Sequence, residues 1–328
     1  MKTLVFGGAG FVGLNIAERL LADGEHVVVF DRMPLPATAM AAFARLSGQL
    51  EAQTGDVTDA DAIARVLVPG IDTVVLGAAV TADAAREARD PQGILQVNLM
   101  ALTPILRAAR DAGVRRVINL SSAAAYGRSA MGVAPVDEDT QPQPVGLYGI
   151  TKFTSEMIGQ RMAELWSLDF VSLRLSALFG PWERATGVRD TTSAPFQITE
   201  AARHGTPALL ARPGVRDWIY APDVARAVQA VLQAGALQHR VYNVSSTQAW
   251  SALAWGEALA ALQPDLVCRL ACADEAPTIH LHSDTDRAPL STARLQAELG
   301  WRAAYGLADS AAHLADWCRQ HPLSKESS

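Results

Sequence analysis

The chain has 328 residues, of which 49% are hydrophobic, and it carries a formal net charge of −6 at pH 7. This hydrophobic fraction is enough for a large buried core, whereas the small acidic excess, without any run of five Lys or Arg residues, argues against a nucleic-acid or anionic-membrane partner. The three cysteines (Cys268, Cys272 and Cys318) are too few for a disulfide framework or a complete metal site, so we expect no bound metal. No signal-like or membrane-spanning apolar run is found, so we expect a cytoplasmic protein.

From the N-terminus, short apolar runs alternate with stretches in which apolar residues have helical spacing. The runs are apolar throughout rather than alternating, which is typical of parallel strands covered on both faces. The predicted strands are 4–6, 26–30, 73–76, 117–120 and 171–175, with a further strand before Gly55. The predicted helices are 11–22, 60–67, 94–112 and 151–166. Strands and helices in this order predict an α/β fold with a Rossmann-like, doubly wound parallel sheet.

The composition changes after Gly180, where residues 181–195 are polar and rich in turn formers. The elements predicted beyond them are a helix at 196–204, short strands at 216–220 and 241–244, and a helical tail from 251 with an irregular break near 274–289 and frayed residues at 323–328. We therefore predict two domains. They are a Rossmann domain of residues 1–175 with a returning segment at about 215–245, and a smaller, mostly C-terminal α/β substrate-binding domain of residues 176–214 and 246–328.

A glycine-rich turn between the first strand and the first helix is the first candidate site. Gly7, Gly10 and Gly13 have the spacing of a dinucleotide-binding turn, and Phe11 and Val12 begin the helix. The first two glycines permit a tight turn and a close approach of backbone to a pyrophosphate, and the third permits close packing of helix on strand. The pyrophosphate would then lie at the positive end of the helix dipole.

Acidic residues after the second and third strands complete the predicted cofactor site. Asp31 ends the second strand, where a carboxylate accepts hydrogen bonds from ribose hydroxyls and repels a 2′-phosphate, so we predict NAD. Arg32 leaves NADP open as an alternative, since an arginine can bind that phosphate. Asp56 and Val57, after the third strand, are candidates for holding the adenine edge, although an aspartate here is equally suited to capping the next helix.

The candidate catalytic residues are Ser122, Tyr148 and Lys152. Tyr148 and Lys152 are four residues apart and therefore share one face of a helix. An ammonium group beside a phenol stabilises the phenolate, which makes the phenol usable as an acid and base near neutral pH, and Lys152 can also hold the nicotinamide ribose. Ser122 follows a strand at the carboxyl edge of the sheet, where its hydroxyl would hydrogen-bond to the reacting oxygen of a substrate.

At these positions the sequence resembles the extended short-chain dehydrogenase/reductase family, the group of NAD-dependent sugar epimerases and dehydratases. The resemblance extends over nearly the whole chain. It implies that Ser122 is the catalytic serine, and that Tyr148 and Lys152 are the acid/base pair and also contact the cofactor. It further implies that Asn98 is a cofactor-binding residue near the active site, and that the helices carrying Asn98 and Tyr148 pair two subunits in a homodimer.

Differences from the subfamilies bear on the reaction. Dehydratases carry an Asp-Glu pair where this chain has Ala123 and Ala124, so the resemblance does not extend to dehydration. Nucleotide-sugar epimerases anchor the substrate diphosphate with an Asn in an Asn-x-x-Gly segment and with an Arg before a Gly-Asp turn. This chain has no Asn in the corresponding segment 176–180 and no Arg in 281–284, so only Arg216 is retained of the usual phosphate contacts.

The loop after Gly180 offers other anion-binding groups, namely Arg184, Arg189 and the Thr-Thr-Ser segment 191–193. We therefore expect an NAD-dependent dehydrogenase that moves a hydride at a secondary alcohol of a sugar, a sugar acid or a similar polyhydroxy small molecule. The alternatives are a nucleotide-sugar (UDP-glucose type) 4-epimerase and, from another class, a non-catalytic NAD-sensing protein. The predicted substrate-binding residues are Thr81, Ser122, Ala123, Tyr148, Arg184, Arg189 and Arg216.

Overall fold

A seven-stranded, entirely parallel β-sheet forms the centre of the molecule in the computed structural model, which describes residues 1–187, 189–190, 192–281 and 283–321. The strands of the chain are β1 (Lys2–Phe6), β2 (His26–Asp31), β3 (Gln49–Thr54), β4 (Thr73–Leu76), β5 (Arg116–Ser122), β6 (Phe170–Leu175), β7 (Leu178–Phe179), β8 (Ala208–Leu210), β9 (Val215–Arg216), β10 (Ile219–Tyr220), β11 (Val241–Val244), β12 (Trp250–Ser251) and β13 (Cys268–Leu270). The order in the large sheet is β11-β6-β5-β4-β1-β2-β3.

Helices cover both faces of this sheet. The helices are α1 (Phe11–Ala22), α2 (Ala37–Phe43), α3 (Ala60–Val66), α4 (Ala84–Arg89), α5 (Pro91–Leu95), α6 (Leu102–Asp111), α7 (Leu147–Trp166), α8 (Ala194–His204), α9 (Ala221–Gln233), α10 (Ala252–Ala260), α11 (Ala293–Leu299) and α12 (Leu307–Gln320). The predicted Rossmann-like α/β fold is confirmed. Among the described residues, no helix combines the length and the apolar character needed to cross a membrane.

The continuously apolar strands are explained by two hydrophobic cores on opposite faces of the sheet. Val5 of β1 packs with α1 and α9, whereas its neighbours Leu4 and Phe6 pack with α3 and α6. Successive side chains of a strand point to opposite faces, so a strand between two helical layers needs apolar residues at every position. A third core, around Phe179 and Trp255, joins α8, α10 and α12 beside the sheet. The domain boundaries themselves stay a prediction.

Two predicted elements differ from the structure. The helix expected at 94–112 is divided into α5, a π-helical turn at Gln96–Met100 and α6. Pro104, which has no N–H, lies in the first turn of α6, where no intrahelical partner is required. The strand expected at 216–220 is two short strands, because β9 pairs with β12 and β10 pairs with β7. The residues predicted to be frayed, 323–328, lie outside the described residues.

The strand order determines where a ligand can bind. The chain runs outward from β1 in one direction through β2 and β3 and in the other through β4, β5 and β6. A crevice opens at the carboxyl ends of strands where the order reverses in this way. The turns after β1, β4, β5 and β6 all end at this edge, so residues far apart in the sequence meet there.

Candidate active site

One continuous cleft of about 770 Å³ lies at the carboxyl edge of the sheet. At one end it is lined by the glycine turn after β1, and in the middle by the end of β5 and the start of α7. At the other end it is lined by the residues after β6 and by loops of the C-terminal part. The cleft residues that the sequence predicted are Gly7, Gly10, Phe11, Val12, Gly13, Thr81, Ser122, Ala123, Tyr148, Lys152, Arg184, Arg189 and Arg216.

The glycine turn has the geometry of a dinucleotide-binding loop. Gly7 has a φ of +74°, which favours glycine, and its N–H donates to the oxygen of Phe30 at 2.9 Å. A Cβ on Gly13 would lie 2.2 Å from the oxygen of Gly7, so only glycine lets α1 pack this closely on the turn. Gly10 is the N-cap residue of α1, and the first backbone N–H groups of the helix end at the cleft. The turn therefore fits the pyrophosphate of a dinucleotide.

The acidic residues of the predicted cofactor site lie at neighbouring strand ends. The carboxylate of Asp31 accepts hydrogen bonds from the N–H of Ala9 at 3.1 Å and the N–H of Met33 at 3.0 Å, so it is fixed beside the glycine turn. Asp56 is exposed, and its carboxylate accepts from the N–H and the hydroxyl of Thr58, each at 2.8 Å.

Two further predicted cofactor residues differ in their exposure. The side chain of Val57 is buried in the core between β2 and α3, whereas Arg32 is exposed. Contacts of Arg32, Asp56 and Val57 with the cofactor stay predictions.

Ser122, Tyr148 and Lys152 meet in the middle of the cleft. Lys152 is buried, its Nζ donates to the oxygen of Leu120 at 2.8 Å, and it lies 5.7 Å from the centre of the Tyr148 ring. Ser122 ends β5, and its Oγ accepts from the N–H of Ala124 at 3.1 Å, which leaves its own proton for another acceptor. Tyr148 and Ser122 are both half-buried and line the cleft. The structure thus brings the three predicted catalytic side chains together.

A glycine next to the tyrosine allows this close approach. A Cβ on Gly149 would lie 2.5 Å from the oxygen of Ala124, so α7 packs directly against the short turn that follows Ser122. Any larger residue would push α7 away and separate the tyrosine from the serine. The sequence prediction did not include Gly149, although it lies inside the Tyr-x-x-x-Lys segment.

A buried polar network lies behind the three predicted catalytic side chains. The hydroxyl of Ser121 donates to Glu156, which forms an ion pair with Arg174 at 2.7 Å. The guanidinium of Arg174 lies 4.6 Å from the ring centre of Tyr126, whose hydroxyl donates to Asn243 at 2.8 Å. The network joins α7 to β5, β6 and β11, and it therefore sets the position of the helix that carries Tyr148 and Lys152.

Asn98 is not among the residues that line the cleft, and its predicted contact with the cofactor stays a prediction. Its amide nitrogen donates to the oxygen of Val80 at 3.0 Å and to the hydroxyl of Thr151 at 3.2 Å, and its amide oxygen accepts from the N–H of Val80 at 2.7 Å. These bonds use the polar atoms of the buried side chain, so Asn98 joins the segment after β4 to α7. The structure makes it a positioning residue.

Arg184 and Arg189 line the cleft and lie against the glycine turn, and their predicted contacts with the substrate stay predictions. Arg184 donates to the oxygen of Ala9 at 2.7 Å. Arg189 lies 5.3 Å from the ring centre of Phe11 and forms an ion pair with Glu183 at 2.9 Å. The sequence analysis placed them on the substrate side because they follow Gly180, but the loop folds back toward the N-terminal end of α1. Of their neighbours, Thr191 lies outside the described residues.

Three arginines line the far end of the cleft, and the sequence analysis named only one of them. Arg212 and Arg216 both contact Asp286, and Arg287 forms an ion pair with Asp217 at 2.9 Å. Burial lowers the pKa of Arg216, and the nearby positive charge of Arg287 lowers it further, while Asp286 opposes the shift. We call Arg212, Arg216 and Arg287 the arginine cluster. Three cations against two carboxylates make this end of the cleft suitable for an anion.

The sequence gives one local signal for the cluster, which is the short Arg-Pro-Gly-Val-Arg segment 212–216. Arg287 lies three residues after the segment 281–284, which contains no arginine. Of that segment, His282 lies outside the described residues. No group of three or more His, Cys, Asp or Glu side chains is placed to hold a metal ion in the part of the chain that the structure describes.

The fold and the cleft are those of a dinucleotide-dependent enzyme, and Ser122, Tyr148 and Lys152 lie in the middle of that cleft. Residues 3–245 match the model of the NAD dependent epimerase/dehydratase family, and the chain belongs to this family. The expected resemblance to sugar epimerases and dehydratases and the expectation of an enzyme are thereby confirmed.

The chain is similar to several sugar-nucleotide epimerases. It is 28% identical to a UDP-glucose 4-epimerase of Mycolicibacterium smegmatis over 327 residues, which cover 97% of this chain and 99% of the relative. Its fold matches the UDP-glucose 4-epimerase of Thermus thermophilus in complex with NAD, with a TM-score of 0.77, 26% identity and coverage of 96% and 99% of the two chains. It also matches MoeE5 in complex with UDP-glucuronic acid and NAD, with a TM-score of 0.78, 26% identity and coverage of 98% and 100%.

Proposed function

We propose that this protein is an NAD-dependent 4-epimerase of a nucleotide-diphosphate sugar. The observation that carries the proposal is that one cleft joins Ser122, Tyr148 and Lys152 to the arginine cluster. The relatives named above support this alternative over net dehydrogenation, which the sequence alone favoured.

Tyr148 is the proposed acid and base. Its phenolate oxygen takes the proton of the substrate hydroxyl as the hydrogen on the same carbon leaves as hydride. NAD, when bound, would supply the acceptor, and later the donor, of that hydride. Ser122 donates a hydrogen bond to the oxygen of the resulting ketone, and Lys152 stabilises the phenolate. Once the ketone presents its opposite face to the cofactor site, the carbon regains the hydride and Tyr148 returns the proton to the oxygen. The substrate therefore undergoes no net oxidation.

The arginine cluster supports a diphosphate as the part of the substrate that is bound but does not react. Arginine binds phosphate oxygens through two parallel N–H groups, and the three guanidinium groups are largely shielded from solvent. Arg212 and Arg287 supply cationic groups in place of the asparagine absent from segment 176–180 and the arginine absent from segment 281–284. Such contacts far from the reacting carbon position the substrate for reaction.

One observation favours a second candidate, the net dehydrogenase of a smaller anionic polyhydroxy compound. Ala177 lies where the Asn-x-x-Gly segment ending at Gly180 would carry its asparagine, and the neighbouring Ser176 has its Oγ already occupied. It donates to the oxygen of Asp217 and accepts from Arg287, both at 2.7 Å. A carboxylate would suit the arginine cluster without needing an amide anchor.

The experiment that separates the two reactions follows products and NADH together. Purified protein is incubated with UDP-glucose, with UDP-glucuronic acid and with free sugars and sugar acids, each with added NAD. We expect a nucleotide sugar to be converted to its 4-epimer without accumulation of NADH absorbance. Steady NADH formation from a free sugar acid, with no conversion of any nucleotide sugar, would establish the dehydrogenase instead.

Replacing Arg212 by methionine tests the arginine cluster. We expect the KM for the nucleotide sugar to rise by about 10- to 100-fold with little change in kcat, because one charge-assisted contact outside the reacting centre is lost. Initial-rate kinetics measures both constants. Arg269→Met is the matched control, since Arg269 forms an exposed ion pair with Glu275 outside the cleft. An unchanged KM in Arg212→Met would refute a substrate role for this arginine.

We also propose that the protein is a homodimer that pairs through α7 and the adjacent π-helical turn. Met100 and Met157 are exposed by 65% and 57%, and Ile150 is exposed one heptad before Met157 on the same face of α7. The variant Met100→Glu/Met157→Glu is expected to sediment as a monomer where the wild type sediments as a dimer. Leu262→Glu, at an exposed apolar position outside α7, should leave the mass unchanged. A monomeric wild type would contradict the proposal.

A further inference from the structure

The segment after β7 crosses the cleft close to the glycine turn. We call residues 181–187 and 189–190 the strap. At one side Arg184 donates to the oxygen of Ala9. At the other side the N–H of Asp190 donates to the oxygen of Thr81 at 3.2 Å, and the Asp190 carboxylate forms an ion pair with Arg86 at 3.0 Å. The strap therefore connects the turn after β1 with the start of α4.

Arg184 lies between the two ends of the predicted dinucleotide site. Asp31 marks the end that would hold the adenosine ribose, and Lys152 marks the end that would hold the nicotinamide ribose. Ala9, the partner of Arg184, donates its N–H to Asp31, at the adenosine-ribose end, and directly precedes Gly10, the N-cap of α1. In a dinucleotide the pyrophosphate is the group between the two riboses. It is also the group that binds at the N-terminus of this helix.

The charge of Arg184 is available for an anion, whereas that of Arg189 is not. Arg189 is neutralised by its ion pair with Glu183, which is fully buried. Arg184 is half-buried, lines the cleft and makes one hydrogen bond within the described residues, to a neutral backbone oxygen. Burial lowers the pKa of Arg184 and Asp31 opposes the shift, but a guanidinium keeps its proton in proteins.

We infer that Arg184 is a ligand of the NAD pyrophosphate, supplied by the strap to a cofactor site that is otherwise built from β1, α1 and β2. The dinucleotide is then held by backbone N–H groups of α1 on one side and by a guanidinium on the other. The inference rests on the cofactor part of the proposed function and is independent of the identity of the sugar.

Binding measurements without catalysis test this assignment. Calorimetry gives the Kd of ADP-ribose, and competition with ADP-ribose gives the Kd of adenosine, which lacks the pyrophosphate. In Arg184→Met the Kd of ADP-ribose should rise by about 10- to 100-fold, while that of adenosine should change less than about threefold. Arg184→Lys, which keeps the charge but loses the planar fork, should lie between wild type and Arg184→Met. Arg269→Met again serves as the surface control, and thermal unfolding verifies that each variant is folded.

Three results would overturn the inference in distinguishable ways. If the ADP-ribose Kd is unchanged in Arg184→Met while the KM for the sugar substrate rises, Arg184 is a substrate ligand. If Arg184→Met loses the same affinity for adenosine as for ADP-ribose, Arg184 acts on the adenosine part of the cofactor and not on the pyrophosphate. If the wild type binds no ADP-ribose, the cofactor part of the proposed function fails as well, which separates that failure from an error about Arg184 alone.

Discussion

Replacing Tyr148 by phenylalanine is expected to lower kcat by about 10²- to 10⁴-fold, because the variant keeps the ring but lacks the hydroxyl that moves the substrate proton. The phenyl ring fills the same space beside Lys152 and Gly149, so folding and ADP-ribose binding should stay close to those of the wild type. Initial rates with the nucleotide sugar, together with the Kd of ADP-ribose, measure both effects.

The matched control for this change is Tyr305→Phe. Tyr305 packs against Tyr220 in the third core, outside the cleft, and should tolerate the change without loss of rate. If Tyr148→Phe retains full biological function, the protein does not act through proton transfer by the Tyr148 hydroxyl. The alternative of a non-catalytic NAD-sensing protein would then gain support.

The second large effect is expected on stability. Glu156→Gln removes the charge that compensates Arg174 while nearly preserving shape, and both side chains are at most 5% exposed. Breaking one partner of a buried ion pair leaves an uncompensated charge and costs about 3–5 kcal/mol. The free energy of unfolding should fall by this amount in urea titrations, and the catalytic rate should fall with it because Ser121 and α7 lose their common anchor.

The same helix carries the control for that experiment. Glu164 pairs with Arg161 at 3.0 Å, and both side chains are more than 60% exposed. Glu164→Gln should therefore change the free energy of unfolding by less than about 1 kcal/mol. The double variant Glu156→Leu/Arg174→Met should recover part of the loss, since an apolar pair needs no compensation. A loss below about 1 kcal/mol in Glu156→Gln would contradict the structural role of the network.

The sequence predicted the alternation of strands and helices, and the structure confirms it within a few residues for most elements. The prediction succeeded because both faces of the sheet are covered, so β1, β2 and β4 each contain an unbroken run of three or four apolar residues (4–6, 27–30 and 74–76) that differs plainly from the helical spacing of α1. The division of the helix at 94–112 was not predicted. A π-helical turn depends on which backbone groups pair, and its residues have no separate pattern of burial.

Local spacing likewise predicted the glycine turn and the Tyr148 and Lys152 pair. Each of these motifs lies within one turn or one helix, where the positions of neighbouring residues follow from backbone geometry alone. Ser122 could be assigned to the same edge because parallel strands end on one side of a sheet. The sequence did not predict the contacts that Asn98 and Arg184 make, because their partners are distant in sequence. Thr151 is 53 residues from Asn98, and Ala9 is 175 residues from Arg184.

What the sequence by itself determined was therefore the fold class, the dinucleotide turn and the candidate Ser, Tyr and Lys residues, since these are expressed in short-range periodicity and spacing. Only the tertiary structure decided that Arg287 meets Arg212 and Arg216, that Asn98 bonds to Val80 and Thr151, and that the strap turns toward Ala9. Loops have no periodic pattern that fixes their path, and their side chains find partners only after the sheet has brought distant turns to one edge.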